Sequence, residues 1–349
     1  MNNSDEKSPI LLDKKPVLGI SACCMGCPVR YNGKGFDLLK NLGREKGDFT
    51  YCPVCPETLA GLGVMRDPIH LTGENGAAVL RGEGKVVSRG GRDVTDLVMQ
   101  GAQAAMQTLE RAGARAFIYM DGSPTCGVYR TTLKSQKRGK PPGIFGAMLD
   151  EAGFFLIPAL DLQSPLRWWD WRRRLLAFQY LMDVPIKTRG DLYAVWHRLK
   201  FLTQELDEPF ARALGHELAG IAKYPGEDYL AQFKRQVGDR LRKPSNAARM
   251  TQSLWKNYVY YRRQSGKTVP EVQSPEVTRN ITTIAKELVR MERAAAESGI
   301  LFGTAPVIYS DGRKKRQADE PSGLPLEVLE VRKSDLPFDD PADETPKLL

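Results

Sequence analysis

Apolar positions in the first 160 residues fall into short unbroken runs separated by polar and Gly-rich stretches. PVLGISA (16–22), FTYCPV (49–54), ARAFIYM (114–120) and FFLIPAL (154–160) are each strand-sized and bounded by turn-forming residues. Runs of this length without alternation predict strands covered on both faces. A different rhythm fills the gaps. TDLVMQGAQAAMQTLERAG (95–113) repeats apolar residues at three- and four-residue spacing, which predicts a helix capped by Asp93 or Thr95 and ended by Gly113. GIFGAMLDEAG (143–153) predicts a shorter helix, and AAVLRGEGKVVSRGG (77–91) a hairpin turning at Gly82-Glu83-Gly84.

This alternation predicts an α/β unit with a Rossmann-like, mostly parallel sheet over residues 16–163. The texture then changes. SPLRWWDWRRRLLAFQYLMD (164–183), RGDLYAVWHRLKFLTQEL, GEDYLAQFKRQVGDRL and SNAARMTQSLWKNYVYYRRQ have helical spacing, with breaks at Pro185, Pro225, Pro244 and Pro270. The expected organisation is a flexible N-terminus (1–15), the α/β unit (16–163), a connector helix (164–186) and an all-α domain (187–300) in which Ser245 caps a helix. A poorly ordered tail of mixed Pro, Gly and charge (301–349) completes it. No internal repeat is evident.

Charge adds one feature. The chain carries a net +9, and residues 164–263 hold 19 Lys+Arg against 10 Asp+Glu, so that segment alone matches the excess. A basic helical surface suits a polyanion such as RNA, although an ordinary solvated surface would have the same composition. No run of 18 apolar residues occurs and the N-terminus has no secretory pattern, so the expectation is a cytoplasmic protein without a membrane span.

In a reducing compartment, clustered thiols point to metal or catalysis rather than disulfides. The chain has 6 cysteines in three islands: SACCMGC (21–27), YCPVC (51–55) and Cys126 in DGSPTCG (121–127). One cysteine of each island follows a predicted strand: Cys23 the first, Cys55 the second, Cys126 the third. In a parallel sheet, carboxyl ends of strands are where ligands bind. Thiolates gathered there repel unless a cation shares their charge. Two metal arrangements fit the spacing, beside the plain alternative that the thiols are unrelated buried core residues. Cys24-x-x-Cys27 with Cys52-x-x-Cys55 would make a four-cysteine zinc site. Cys23, Cys55 and Cys126 would instead hold a [4Fe–4S] cluster by three of its irons, leaving the fourth open.

The motifs also carry a resemblance. SACCMGCPVRYNG is similar to the SACLLG-x-x-x-RYDG signature of the thiouracil desulfurase family (domain of unknown function 523). PVCPETLAGL (53–62), GRDVTDLVMQGA (91–102) and SPTCG (123–127) resemble that family's later blocks, in the same order. The resemblance implies that Cys23, Cys55 and Cys126 hold a [4Fe–4S] cluster, and that Cys24, Cys27 and Cys52 are not required. The chain departs from the family at Asn32, where Asp is usual, at His70, and at Met120-Asp121.

What the resemblance implies chemically is removal of sulfur from a thiolated pyrimidine, such as 2-thiouracil or a tRNA thiouridine, with the open iron accepting the sulfur. Glu57, two residues beyond Cys55, is then the candidate general acid/base, or alternatively a helix-start carboxylate. Ser123 would orient substrate or water, or merely shape the turn. Arg30 and Tyr31 would bind the base or ribose by hydrogen bonding and stacking. WHRLKF (196–201) and the segment 242–263 more weakly resemble domain of unknown function 1722, often fused behind the first family, although the histidine expected in the second segment is absent. In that segment Arg242, Lys243, Arg249, Lys256, Arg262 and Arg263 interleave with Trp255, Tyr258, Tyr260 and Tyr261, a composition suited to RNA or to an amphipathic helix with core aromatics. Two other functions compete: a transferase carrying sulfur onto RNA through the same cluster, and a non-catalytic zinc module binding nucleic acid. No Walker-type phosphate loop appears, which favours sulfur removal over ATP-driven insertion.

Overall fold

A computed structural model describes residues 8–129 and 141–309. Along the chain run β1 (Ile10–Leu12), β2 (Val17–Ser21), β3 (Thr50–Val54), α1 (Pro56–Leu59), β4 (Ile69–Thr72), α2 (Gly76–Leu80), β5 (Lys85–Ser88), α3 (Thr95–Arg111), β6 (Ala116–Tyr119), α4 (Ile144–Glu151) and β7 (Phe155–Pro158). The helices α5 (Pro165–Asp183), α6 (Arg189–Leu206), α7 (Glu208–Ala219), α8 (Glu227–Leu241), α9 (Ala247–Ser265) and α10 (Ile281–Glu297) follow, and β8 (Val307–Tyr309) is last.

Four strands form one sheet in the order β3-β2-β6-β7, and all neighbours are parallel. Every residue of β6 and β7 is buried, as expected of strands covered on both sides. The chain steps from β2 to β3 on one side and returns through β6 on the other. The order therefore reverses beside β2, and the crevice at the strands' carboxyl ends there is where open α/β sheets bind ligands.

Alternate residues of each strand feed two different cores. Val54, Phe117, Tyr119 and Leu156 pack with α3 and α4. Two glycines let these helices press on the loops that matter. A Cβ on Gly101 of α3 would stand 2.2 Å from the Pro56 carbonyl oxygen, so α1 and the turn carrying Cys55 lie directly against α3. A Cβ on Gly146 of α4 would stand 2.4 Å from the Gly127 carbonyl oxygen, which seats the Cys126 loop on α4 in the same way.

On the opposite face, Leu18, Ile20, Ile118, Phe155 and Ile157 pack against Trp168, Trp171, Leu175 and Phe178 of α5, in a core that continues into α6, α7 and α8. The Phe155 ring lies edge-on to Trp171 at 5.7 Å. The other side of α5 contributes Leu166 and Trp169 to a second cluster with α9 and α10. The expected connector is thus a central helix buried on nearly all sides. Its basic run is internal. Arg173 pairs with Asp170 and Glu205 at 2.7 and 2.5 Å, Arg174 with Asp170 at 2.9 Å, and Arg172 with Glu292 at 2.7 Å. Part of the basic excess read as surface is therefore neutralised in the core, where charges persist only when paired.

Other expectations are corrected by local chemistry. Residues 76–80 are helical rather than the first strand of a hairpin, because Asn75 accepts the Ala78 N–H at 2.9 Å and starts a turn; β5 pairs antiparallel with β4 instead. Asn246, not Ser245, caps α9, since the Ser245 hydroxyl donates to Glu205 at 2.7 Å. Val94 occupies the cap position of α3; Asp93 accepts from the N–H and hydroxyl of Thr95, and Thr95 accepts the Val86 N–H at 2.9 Å. Both presumed loose ends contribute structure, for β1 pairs in parallel with β8, Ile10 opposite Val307. Residues 1–7 and 310–349 lie outside the described residues.

Candidate active site

Each cysteine of the proposed triad is placed by a strand end. Cys23 sits in the 3₁₀ turn directly after β2. Cys55 follows β3 at the N-cap position of α1, where Pro56 begins the helix. Cys126 lies in the loop after β6, with Ser123 Oγ accepting its backbone N–H at 3.1 Å and that of Thr125 at 3.2 Å. Cys126 is buried, while Cys23 and Cys55 are partly exposed.

The thiols act on one another. Burial pushes Cys126 well above the ordinary thiol range, and charge on Cys55, on Cys23 and on Glu57 adds to the rise. Cys55 is raised first by burial and also by Glu57, against a hydrogen bond from Thr58 and the positive field of Arg66. Cys23 is lowered, chiefly because the Cys24 thiol donates to its sulfur; burial opposes this, and Arg30 assists it. Glu57 thus lies within the electrostatic reach of all three sulfurs.

Among the described residues no group of three His, Cys, Asp or Glu side chains is placed to hold a metal ion. A single zinc would need its sulfurs at about 2.3 Å from a shared centre, whereas a cubane takes each thiolate on a different iron, the kind of donor set that Cys23, Cys55 and Cys126 on three separate loops would supply. The cysteines of the alternative zinc reading divide between the two faces of the sheet, as do Cys23 and Cys126 of the triad. Cys24 is wholly buried in the α5-side core, while Cys52 packs into the α3-side core, on the other face of the sheet.

Beside the sulfurs lies a polar network. Arg66 Nε and Nη2 both donate to Glu57 Oε2, at 3.0 and 2.5 Å, and Thr125 Oγ1 donates to Glu57 Oε1 at 2.9 Å. Arg66 Nη1 donates to the carbonyls of Val29 and Gly63, at 3.0 and 2.7 Å. The Arg30 guanidinium lies over the rings of Phe36 at 4.8 Å and Tyr31 at 5.6 Å, and Tyr31 is 39% exposed. The structure therefore gathers Cys23, Cys55, Cys126, Glu57 and Ser123, with Arg30 and Tyr31 on the flank. Arg66 and Thr125 escaped the sequence reading. The MRDP turn after the Gly-rich stretch and the position beside Cys126 were the available signals.

In the helical region the interleaved aromatics divide. Tyr258 and Tyr261 are buried against α10, so neither ring can stack on RNA; Tyr260 remains 40% exposed. Tyr260, Phe201, Lys200, Arg249 and Lys256 line a groove of about 980 Å³ between α6 and α9. Among the described residues no helix is long and apolar enough to cross a membrane.

Comparison with known proteins bears on the sheet-bearing part of the chain. Residues 18–160 match the 2-thiouracil desulfurase family, an interval that includes the three cysteines, Glu57 and Arg66. The uncharacterized protein YbbK of Bacillus subtilis (strain 168) is 34% identical over 152 residues, which are 42% of this chain and 98% of that protein. Among solved structures, the [4Fe-4S]-dependent thiouracil desulfidase TudS is 30% identical, with a TM-score of 0.33 over 42% of this chain and 90% of that one. Through its sheet and the loops at the sheet's carboxyl edge, the chain belongs to the 2-thiouracil desulfurase family.

Proposed function

We propose that the protein is a [4Fe–4S]-dependent desulfurase that replaces the sulfur of a thiolated pyrimidine by oxygen. The observation that carries this reading is the convergence of Cys23, Cys55 and Cys126, from three separate loops, on one crevice shared with Glu57. A cluster held by these cysteines supplies a sulfur-seeking Lewis acid that polarises a C=S bond.

The remaining work falls to side chains. Tyr31 offers an exposed face for the pyrimidine, and Arg30, resting on Tyr31 and Phe36, brings a positive charge to its edge. Glu57 is fed by donors from Arg66 and Thr125 and is itself an acceptor, so its natural task is to take a proton from the incoming water. The Ser123 oxygen is engaged by two backbone N–H groups, while its own hydrogen is free to direct water or a substrate oxygen. The reaction balances without electron transfer: water adds at the thiocarbonyl carbon, the C–S bond breaks, and the products are the oxo-pyrimidine and hydrogen sulfide.

The test is direct. Protein purified without oxygen should be brown, contain iron and acid-labile sulfide, and convert 2-thiouracil to uracil with release of sulfide. Iron-poor protein, or iron-loaded protein that leaves 2-thiouracil intact alongside thiouridine and thiolated RNA, rules the reading out.

We extend the substrate class to thiolated RNA. The groove between α6 and α9 supports this, because Lys200, Arg249 and Lys256 suit phosphates and Phe201 and Tyr260 suit unstacked bases, while its three carboxylates, Glu205, Asp207 and Glu208, are paired with Arg173, Arg240 and Arg212. RNA affinity is expected to fall steeply with salt, and Lys200→Ala with Lys256→Ala to flatten the slope by about 1.4, at about 0.7 for each phosphate no longer neutralised on a single strand. Filter-binding across a salt series measures both; salt-insensitive binding, or a slope unchanged by the pair, argues against the groove.

A further inference from the structure

Arg66 stands in a loop whose backbone is held in an unfavourable shape. The preceding residue, Met65, has φ +59°, the left-handed region that non-glycine residues seldom adopt, and its side chain is 81% exposed. Such conformations persist where neighbouring contacts dictate them. Arg66 supplies those contacts. Its side chain is only 7% exposed, and its fork is used on both sides.

Each bond reaches a different part of the site. Nε and Nη2 grip Glu57 Oε2, two residues beyond Cys55. Nη1 holds the carbonyl of Val29, which precedes Arg30 in the loop that begins at Cys23, and that of Gly63 in its own turn. Glu57 passes the connection on, since its other oxygen accepts from Thr125, the residue before Cys126. Arg66, Glu57 and Thr125 thereby join all three cysteine-bearing loops through protein groups alone. A planar, five-donor guanidinium can serve a carboxylate and two carbonyls at once; an ammonium cannot reproduce that pattern.

We propose that Arg66 is a positioning residue for the desulfuration proposed above: it aims the Glu57 carboxylate into the crevice shared by the three sulfurs and clasps the Cys23 loop to the Cys55 loop. The inference rests on that proposed reaction for its consequence, but the Arg66–Glu57 linkage can be measured without it. Arg66 is assigned neither to the cluster nor to the substrate, and Cys23 and Cys55 stay anchored by the ends of β2 and β3, so its loss should damage rate chiefly through Glu57 while leaving iron content and substrate affinity nearly intact.

The experiment compares wild type, Arg66→Ala, Arg66→Lys and the double variant Arg66→Ala/Glu57→Leu, which leaves no acceptor at position 57, all purified without oxygen. Arg66→Ala should keep its iron and lose about 100-fold in kcat, the scale expected for misplaced reacting groups, with KM changed less than about threefold. Low-millimolar guanidinium should restore part of that rate saturably, and Arg66→Lys should remain impaired. In the cluster-free proteins, the same guanidinium should raise the Tm of Arg66→Ala and not that of the double variant. Unchanged kcat in Arg66→Ala, activity lost only in proportion to iron, or guanidinium without effect on both rate and Tm overturns the proposal. Should Arg66→Ala not fold, an Arg66→Lys enzyme with full kcat overturns it equally. Inactive wild type would refute the desulfurase reading, while the Tm comparison would still decide whether Arg66 holds Glu57.

Discussion

Cys23→Ala, Cys55→Ala and Cys126→Ala are each expected to yield a colourless, iron-poor and inactive protein. In the proposed site three ligands already leave one iron without a protein partner, so removing any of the three would leave the cluster hanging from two thiolates on separate loops. Cys24→Ala, Cys27→Ala and Cys52→Ala retain the colour. Cys52 lies mid-strand in the α3-side core, and Cys24 is buried beneath the site, where its thiol donates to the Cys23 sulfur and feels the charge of Cys126. Anaerobic visible spectra and iron per chain for the six variants give the answer. Dispensable Cys23 and Cys126 together with essential Cys24 and Cys52 would point to a different metal arrangement altogether.

Glu57→Gln keeps its iron and loses about 10²–10⁴ in kcat, the range expected when a positioned proton acceptor is removed. The substitution preserves volume, and the amide oxygen still receives Arg66, so the loops stay joined. What disappears is the capacity to take a proton. Single-turnover conversion of 2-thiouracil by iron-matched wild type and variant isolates that step. A rate that merely tracks iron content would make Glu57 a structural residue.

The sheet was legible in the sequence because strands buried on both faces, such as β6 and β7, leave unbroken apolar runs. The placement of Cys23, Cys55 and Cys126 just beyond strand ends was legible for a related reason, since each follows one of those runs. Arg66 was not. Its partners Glu57 and Val29 stand 9 and 37 residues away, and a loop arginine beside an exposed methionine reads as solvent-facing. α5 misled in the opposite sense. It is apolar on two sides, so it has no single stripe to mark which face is covered, and its three arginines find carboxylates as distant as Glu205 and Glu292. The aromatics of α9 illustrate the same limit, for Tyr260 and Tyr261 are adjacent in sequence and one faces solvent while the other is core.

The seating of α5 across the sheet bears on how this chain can be dissected. A fragment cut to the family-matching interval, 18–160, would strip the cover from Leu18, Ile20, Ile118, Phe155 and Ile157 and leave a wet apolar wall. Such a wall invites self-association. The family-matching part of this protein is therefore built to be worn against its helical part, and a sticky excised piece would reveal the missing garment rather than any defect in the cysteine-bearing loops.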